Sequence, residues 1–105
     1  MKATKTTTKI LNKIKWNEKY YDIAKLAMKL EMIVDVAENE YNPHYAQYTE
    51  CGLKYNFQHY EDVNLFNGLA NKYPDLFVIY CTHDLQYVII NNINKLVKLL
   101  AKEAA

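Results

Sequence analysis

The segment LFVIYCTHDLQYVIIN, residues 76–91, decides the class of fold. It holds two short runs rich in β-branched and aromatic residues, split by His83 and Asp84. Two readings compete: a β-hairpin, or a helix that starts at Thr82 and runs to the end of the chain. Val88, Ile89 and Ile90 stand in succession, and β-branched side chains lose rotamer freedom on a helix but pack well on a pleated sheet. The hairpin is therefore preferred, although His-Asp is a poor turn pair.

Outward from the hairpin the pattern is mostly helical. Downstream, Asn91 or Asn92 is suited to cap a terminal helix with Ile93, Leu96, Val97 and Leu100 facing inward and Lys95, Lys98 and Lys102 facing water. Upstream, Asp62 is placed to cap a helix whose inner face holds Val63, Phe66, Leu69, Ala70 and Tyr73, closed by Pro74. Before that, Leu53, Tyr55 and Phe57 alternate with Lys54, Asn56 and Gln58, which predicts a half-exposed strand.

The strongest period lies earlier. Tyr20, Ile23, Ala27, Leu30, Val34, Ala37 and Tyr41 are separated alternately by three and four residues, with Leu26 and Ile33 widening the stripe into the face of a long amphipathic helix. The same stripe could instead serve as a homodimer seam through residues 20–41. Asn42-Pro43 and Gly52 then bracket a short helix from Pro43 to Cys51. Ile10, Leu11 and Ile14 suggest a first helix, with Asn17 a cap after a break at Trp16. The expected fold is α+β in one domain over residues 10–105, with residues 1–9 a flexible Lys/Thr-rich tail. About three strands, two of them a hairpin, pack against the long N-terminal amphipathic helix and the C-terminal helix.

Composition excludes more functions than it suggests. All thirteen basic residues are lysine, so the bidentate fork that reads phosphate, carboxylate or a guanine edge is missing and sequence-specific DNA reading is disfavoured. Abundant Lys, Asn, Ile and Tyr, all with A/T-rich codons, suggest a phage or mobile-element gene. Serine is absent, and Gly52 and Gly68 are the only glycines, which removes a serine nucleophile and a phosphate-cradling loop. Cys81 and His83 would share one strand face, but their apolar neighbours predict an inert thiol, and Cys51 and Cys81 are expected to be reduced and largely buried. No metal-ligand spacing joins His44, His59, His83 and the two cysteines. No catalytic residue, cofactor or metal is assigned. The start of the chain lacks the pattern of a secretion signal, and the longest apolar run is too short to cross a bilayer, so a cytoplasmic protein without membrane attachment is expected.

The charge is polarised. Residues 1–29 carry eight lysines against Glu18 and Asp22, a net +6, while residues 30–62 carry Lys54 against seven acids, a net −6. The two blocks either steer a partner or meet within the fold or a dimer. Half of the ten tyrosines fall in residues 40–62; Tyr41 and Tyr55 are expected in the core, leaving Tyr45, Tyr48 and Tyr60 for contact. With Glu38, Glu40, Glu50 and Glu61 they form the expected binding surface, aimed at a host or cognate protein with a basic surface. The expected function is a non-enzymatic accessory or inhibitory protein. The alternative is nonspecific nucleic-acid binding by the lysine-rich first 29 residues, with Trp16, Tyr20 and Tyr21 stacking on bases.

Overall fold

The computed structural model describes residues 2–105. Four α-helices and a four-stranded antiparallel sheet make up an α+β domain. Their order is α1 (Lys5–Lys15), α2 (Tyr21–Asn39), β1 (Ala46–Thr49), β2 (Gly52–Asn56), α3 (Tyr60–Lys72), β3 (Phe77–Cys81), β4 (Gln86–Ile90) and α4 (Ile93–Glu103). The strands lie in the order β1-β2-β4-β3.

The deciding hairpin forms as read. β3 pairs with β4 in the register Phe77↔Ile90 to Cys81↔Gln86. Thr82 closes the turn, since its amide donates to the Leu85 carbonyl at 2.8 Å and its hydroxyl accepts from the Leu85 amide at 3.0 Å. β4 also pairs antiparallel with β2, so β2 and β3 run parallel with β4 between them, joined through α3. Inward-facing Leu53, Tyr55, Phe77, Val88 and Ile90 meet Leu30, Ile33, Phe66, Ile93 and Leu96 from the helices in one core.

The sequence expectation needs four revisions. A fourth strand, β1, replaces the short helix predicted from Pro43 to Cys51. Only one turn forms there, with the Tyr45 and Ala46 amides donating to the Asn42 carbonyl, and Ala46–Thr49 then pairs with β2 from Ala46↔Tyr55 to Thr49↔Gly52. Gly52 is not a residue past a helix end. It follows the Glu50-Cys51 turn at φ 138°, and a side chain there would collide with the Ile90 carbonyl.

Tyr41 does not complete the buried stripe. α2 ends at Asn39, Glu40 takes the left-handed conformation at φ 53°, and the chain turns Tyr41 into solvent. The stripe from Ala27 through Leu30 and Val34 to Ala37 is buried within the monomer, so it does not serve as a dimer seam.

Residues 5–9 of the expected tail are the first turns of α1. Thr4 caps the helix by accepting from the Thr7 amide at 3.1 Å, and the buried Thr7 hydroxyl donates to Asn94 of α4. Asn94 also accepts from the Thr4 amide and donates to the Lys2 carbonyl, each at 3.1 Å, fastening the strap ahead of the helix. Of that expected tail, Met1 lies outside the described residues.

The cysteines form the fourth revision, because Cys51 in the β1–β2 turn and Cys81 at the end of the edge strand β3 are both exposed. Among the described residues no helix is long and apolar enough to cross a membrane.

Candidate functional site

The seven residues expected to bind a partner do not form one surface. Glu50 sits at the β1–β2 turn, whereas Tyr45 precedes β1 and Tyr60 and Glu61 open α3, at the other end of the same hairpin. Tyr45 is half-buried, its ring edge-on to Tyr55 at 5.2 Å. Tyr48 is also half-buried and accepts from the Ala3 amide at 3.0 Å. Burial, reinforced by the neighbouring Glu38 carboxylate and opposed by the Ala3 amide, pushes its hydroxyl pKa above the ordinary value. Glu40 lines a hollow of about 350 Å³ beside Tyr48. Tyr60 and Glu61 are exposed. The structure thus brings Glu38, Glu40 and Tyr48 together near the end of α2 and separates the other four from them.

Asp62 is not the N-cap of α3, which is His59; it is the third residue of the helix, buried, and its carboxylate accepts from the His59 amide as part of a capping box. Its carboxylate receives Lys29 Nζ of α2 at 2.7 Å, the Tyr55 hydroxyl of β2 at 2.5 Å, and the Gln58 and His59 amides at 3.1 and 3.3 Å. Burial alone would raise its pKa, but the hydrogen bonds from Lys29, Tyr55 and Gln58, with the lysine charge, outweigh that and hold it below the ordinary range. Burial, with the Asp62 carboxylate, pushes the Tyr55 phenol well above its usual range. With Tyr55 and Asp62 buried, the cluster pins α2, β2 and α3 together, and Lys29 is the member that reaches solvent.

An exposed apolar feature of four large side chains lies elsewhere, on the outer side of α1 and α2. Trp16 is 76% exposed and Met28 and Met32 are each 58% exposed, with Tyr21 alongside. A groove of about 410 Å³ runs between the two helices, with Leu11, Val34 and the two methionines on its walls and Glu31, Asp35 and Glu38 on its α2 rim. A second hollow of about 190 Å³ continues it past Lys15 and Met28 to Trp16 and Tyr21. Trp16 follows the last turn of α1, and the other three side chains arise from α2 positions 21, 28 and 32, off the buried stripe. Their four- and seven-residue spacings were legible in the sequence, but the stronger period on the buried face masked them.

The outward face of the sheet carries a second exposed patch. Val78 and Tyr80 are exposed there, and Tyr80 stacks on Tyr87 with ring centres 5.1 Å apart while Lys54 Nζ lies 4.4 Å over Tyr87. These rings are largely occupied by one another and by the lysine. Among the described residues no group of three or more His, Cys, Asp or Glu side chains is placed to hold a metal ion.

The chain matches no protein-family model, and comparison with curated proteins and with solved structures gives no significant match.

Proposed function

We propose that this protein acts without catalysis, as an interaction module that engages another polypeptide through the outer face of α1 and α2. One observation carries the reading: Trp16, Tyr21, Met28 and Met32 stand exposed along one groove, whereas the other long helical stripes of the chain are buried. Leaving large apolar side chains in water forgoes roughly 1.5–3 kcal/mol each, so a contiguous row of them marks a surface that is covered in use. Tryptophan and tyrosine suit the energetic centre of an interface, and methionine adapts to the shape of what lands on it. Glu38 is the one residue of the expected acidic surface that belongs to this groove. An accessory or inhibitory role follows from such a module when the surface it covers is itself functional.

Nucleic-acid stacking on the same aromatic residues is less well supported. Lys15, Lys19 and Lys25 lie over the rings of Trp16, Tyr20 and Tyr21 at 5.8, 5.4 and 5.1 Å, occupying a face of each ring that a base would need.

The test is quantitative affinity capture with three proteins: the native chain, a Met28→Lys/Met32→Lys variant, and a Tyr80→Ala control on the sheet face. A polypeptide retained by the native chain and the control but lost by the groove variant supports the reading. Equal retention by all three refutes the assigned face.

A further inference from the structure

The exposed side of α2 carries its own stripe. Tyr21, Lys25, Met28, Met32, Asp35 and Asn39 follow at intervals of four, three, four, three and four, and all six are exposed. That rhythm keeps a row on one side of a helix over its whole length, the condition for a second helix to pack along it. The row is also self-complementary. Rotated by half a turn about a point beside Leu30, Met28 falls opposite Met32, Lys25 opposite Asp35, and Tyr21 opposite Asn39.

We infer that the polypeptide covering this face is a second copy of the chain, docked with α2 antiparallel to α2 about a two-fold axis beside Leu30. The inference rests on the interaction reading above and names its partner. In an isologous interface each pairing occurs twice, so two methionine layers at the centre are flanked by two Lys25–Asp35 ion pairs.

The charges within the row single out this arrangement, while Asp22 and Glu38 lie off it at the flanks. Lys29 and Glu31 are already paired within the chain, with Asp62 and Lys15, at 2.7 Å each. Asp22, Lys25, Asp35 and Glu38 have no ion-pair partner among the described residues, and of these four only Lys25 and Asp35 lie in the row. Both are held along the row: the Asp35 carboxylate accepts from Asn39 Nδ2 at 2.9 Å, and Lys25 Nζ lies 5.1 Å over the Tyr21 ring. A parallel pair of helices would set Lys25 against Lys25 and Asp35 against Asp35. A basic helix would satisfy Asp35 but meet Lys25 with like charge, and an acidic one would do the reverse. Only a partner carrying both signs in inverted order answers the whole row, and this chain carries them.

Sedimentation equilibrium on the full chain at micromolar concentrations tests it. The native protein is expected to dimerise. Lys25→Glu alone and Asp35→Lys alone each put like charges in two symmetry-related layers, and each is expected to weaken association by roughly tenfold or more. An equimolar mixture of the two variants restores opposite charge in both layers and is expected to form a heterodimer near native strength. Misfolding cannot produce that rescue, and all the altered side chains are exposed. A monomeric native chain, single variants that dimerise normally, or a mixture that stays monomeric overturns the inference. If the native chain is monomeric but Met28→Lys/Met32→Lys still abolishes capture of another protein, the second copy is refuted and the interaction reading stands. If the methionine variant changes neither dimerisation nor capture, both fail.

Discussion

Asp62→Ala removes one carboxylate, and four donors on α2, β2 and the loop before α3 lose their acceptor. The donors do not count equally. The Tyr55 hydroxyl belongs to a fully buried residue, and leaving it unpaired costs about 1–3 kcal/mol. The bonds from the Gln58 and His59 amides are part-buried on exposed residues, so those amides can turn to water at a smaller cost, that of a lost helix cap. The Lys29 side chain is 26% accessible and its ammonium rehydrates in part, which places the loss at the low end of the range for breaking a buried ion pair. The expected destabilisation is about 3 kcal/mol, a fall in Tm of roughly 12–20 °C for a domain of this size.

Urea and thermal unfolding followed by circular dichroism read it directly. Asp62→Asn keeps an acceptor for Tyr55 and should lose only about half as much. Because a buried charge without its partner is the main penalty, Lys29→Met/Asp62→Asn should cost less than the two single changes added together. The pH dependence follows from the same contacts. The folded pKa of Asp62 lies below its ordinary value of 3.8, so its stabilisation is present in full above that value and drains away as pH falls further. The gap between native protein and Asp62→Ala should therefore narrow in acid. A loss below about 1 kcal/mol, or a gap that stays constant into strong acid, refutes the view that this cluster locks α2, β2 and α3 together.

Three further outcomes follow from the backbone and the thiols. Gly52→Ala combines a φ of 138° with a Cβ driven against the Ile90 carbonyl and only 3.0 Å from Asn91 Cα, and should cost about 2–4 kcal/mol in urea unfolding. Glu40→Gly relieves a left-handed residue at the end of α2 and should raise stability by about 0.5–1 kcal/mol in the same assay. Cys51 and Cys81 should both react with a mild alkylating reagent in the native protein, read as two added groups by intact mass, and protection of either would contradict its exposure.

Elements whose pattern is decided by neighbours along the chain were legible in the sequence. The Ala27 to Ala37 stripe, the alternation from Leu53 to Phe57 and the Asn92 cap, which accepts from the Lys95 amide at 3.1 Å, all lie where periodicity puts them. What escaped was decided at a distance. The threonines ahead of Lys9 resemble a tail until Asn94, nearly ninety residues on, supplies a partner for the Thr7 hydroxyl. Tyr45 and Tyr48 keep helical spacing, and only pairing with β2 makes their segment a strand. The cysteines sit among apolar letters, yet one lies in a turn and the other on an edge strand, neither of which local hydropathy reveals.

The charge blocks resolve in the same way. The basic first block and the acidic second block meet inside the fold, because Lys15–Glu31 and Lys29–Asp62 each join one to the other. Two carboxylates and two ammoniums are thereby paired across the blocks, and the molecule is a weaker dipole than its sequence implies. What remains in the exposed row of α2 is not a block but an alternation, a lysine before two methionines and an aspartate after them, with Asp22 and Glu38 at its flanks. A surface of that kind acts at contact distance rather than by long-range steering, so added salt should weaken its association only modestly while substitution of Met28 or Met32 should abolish it.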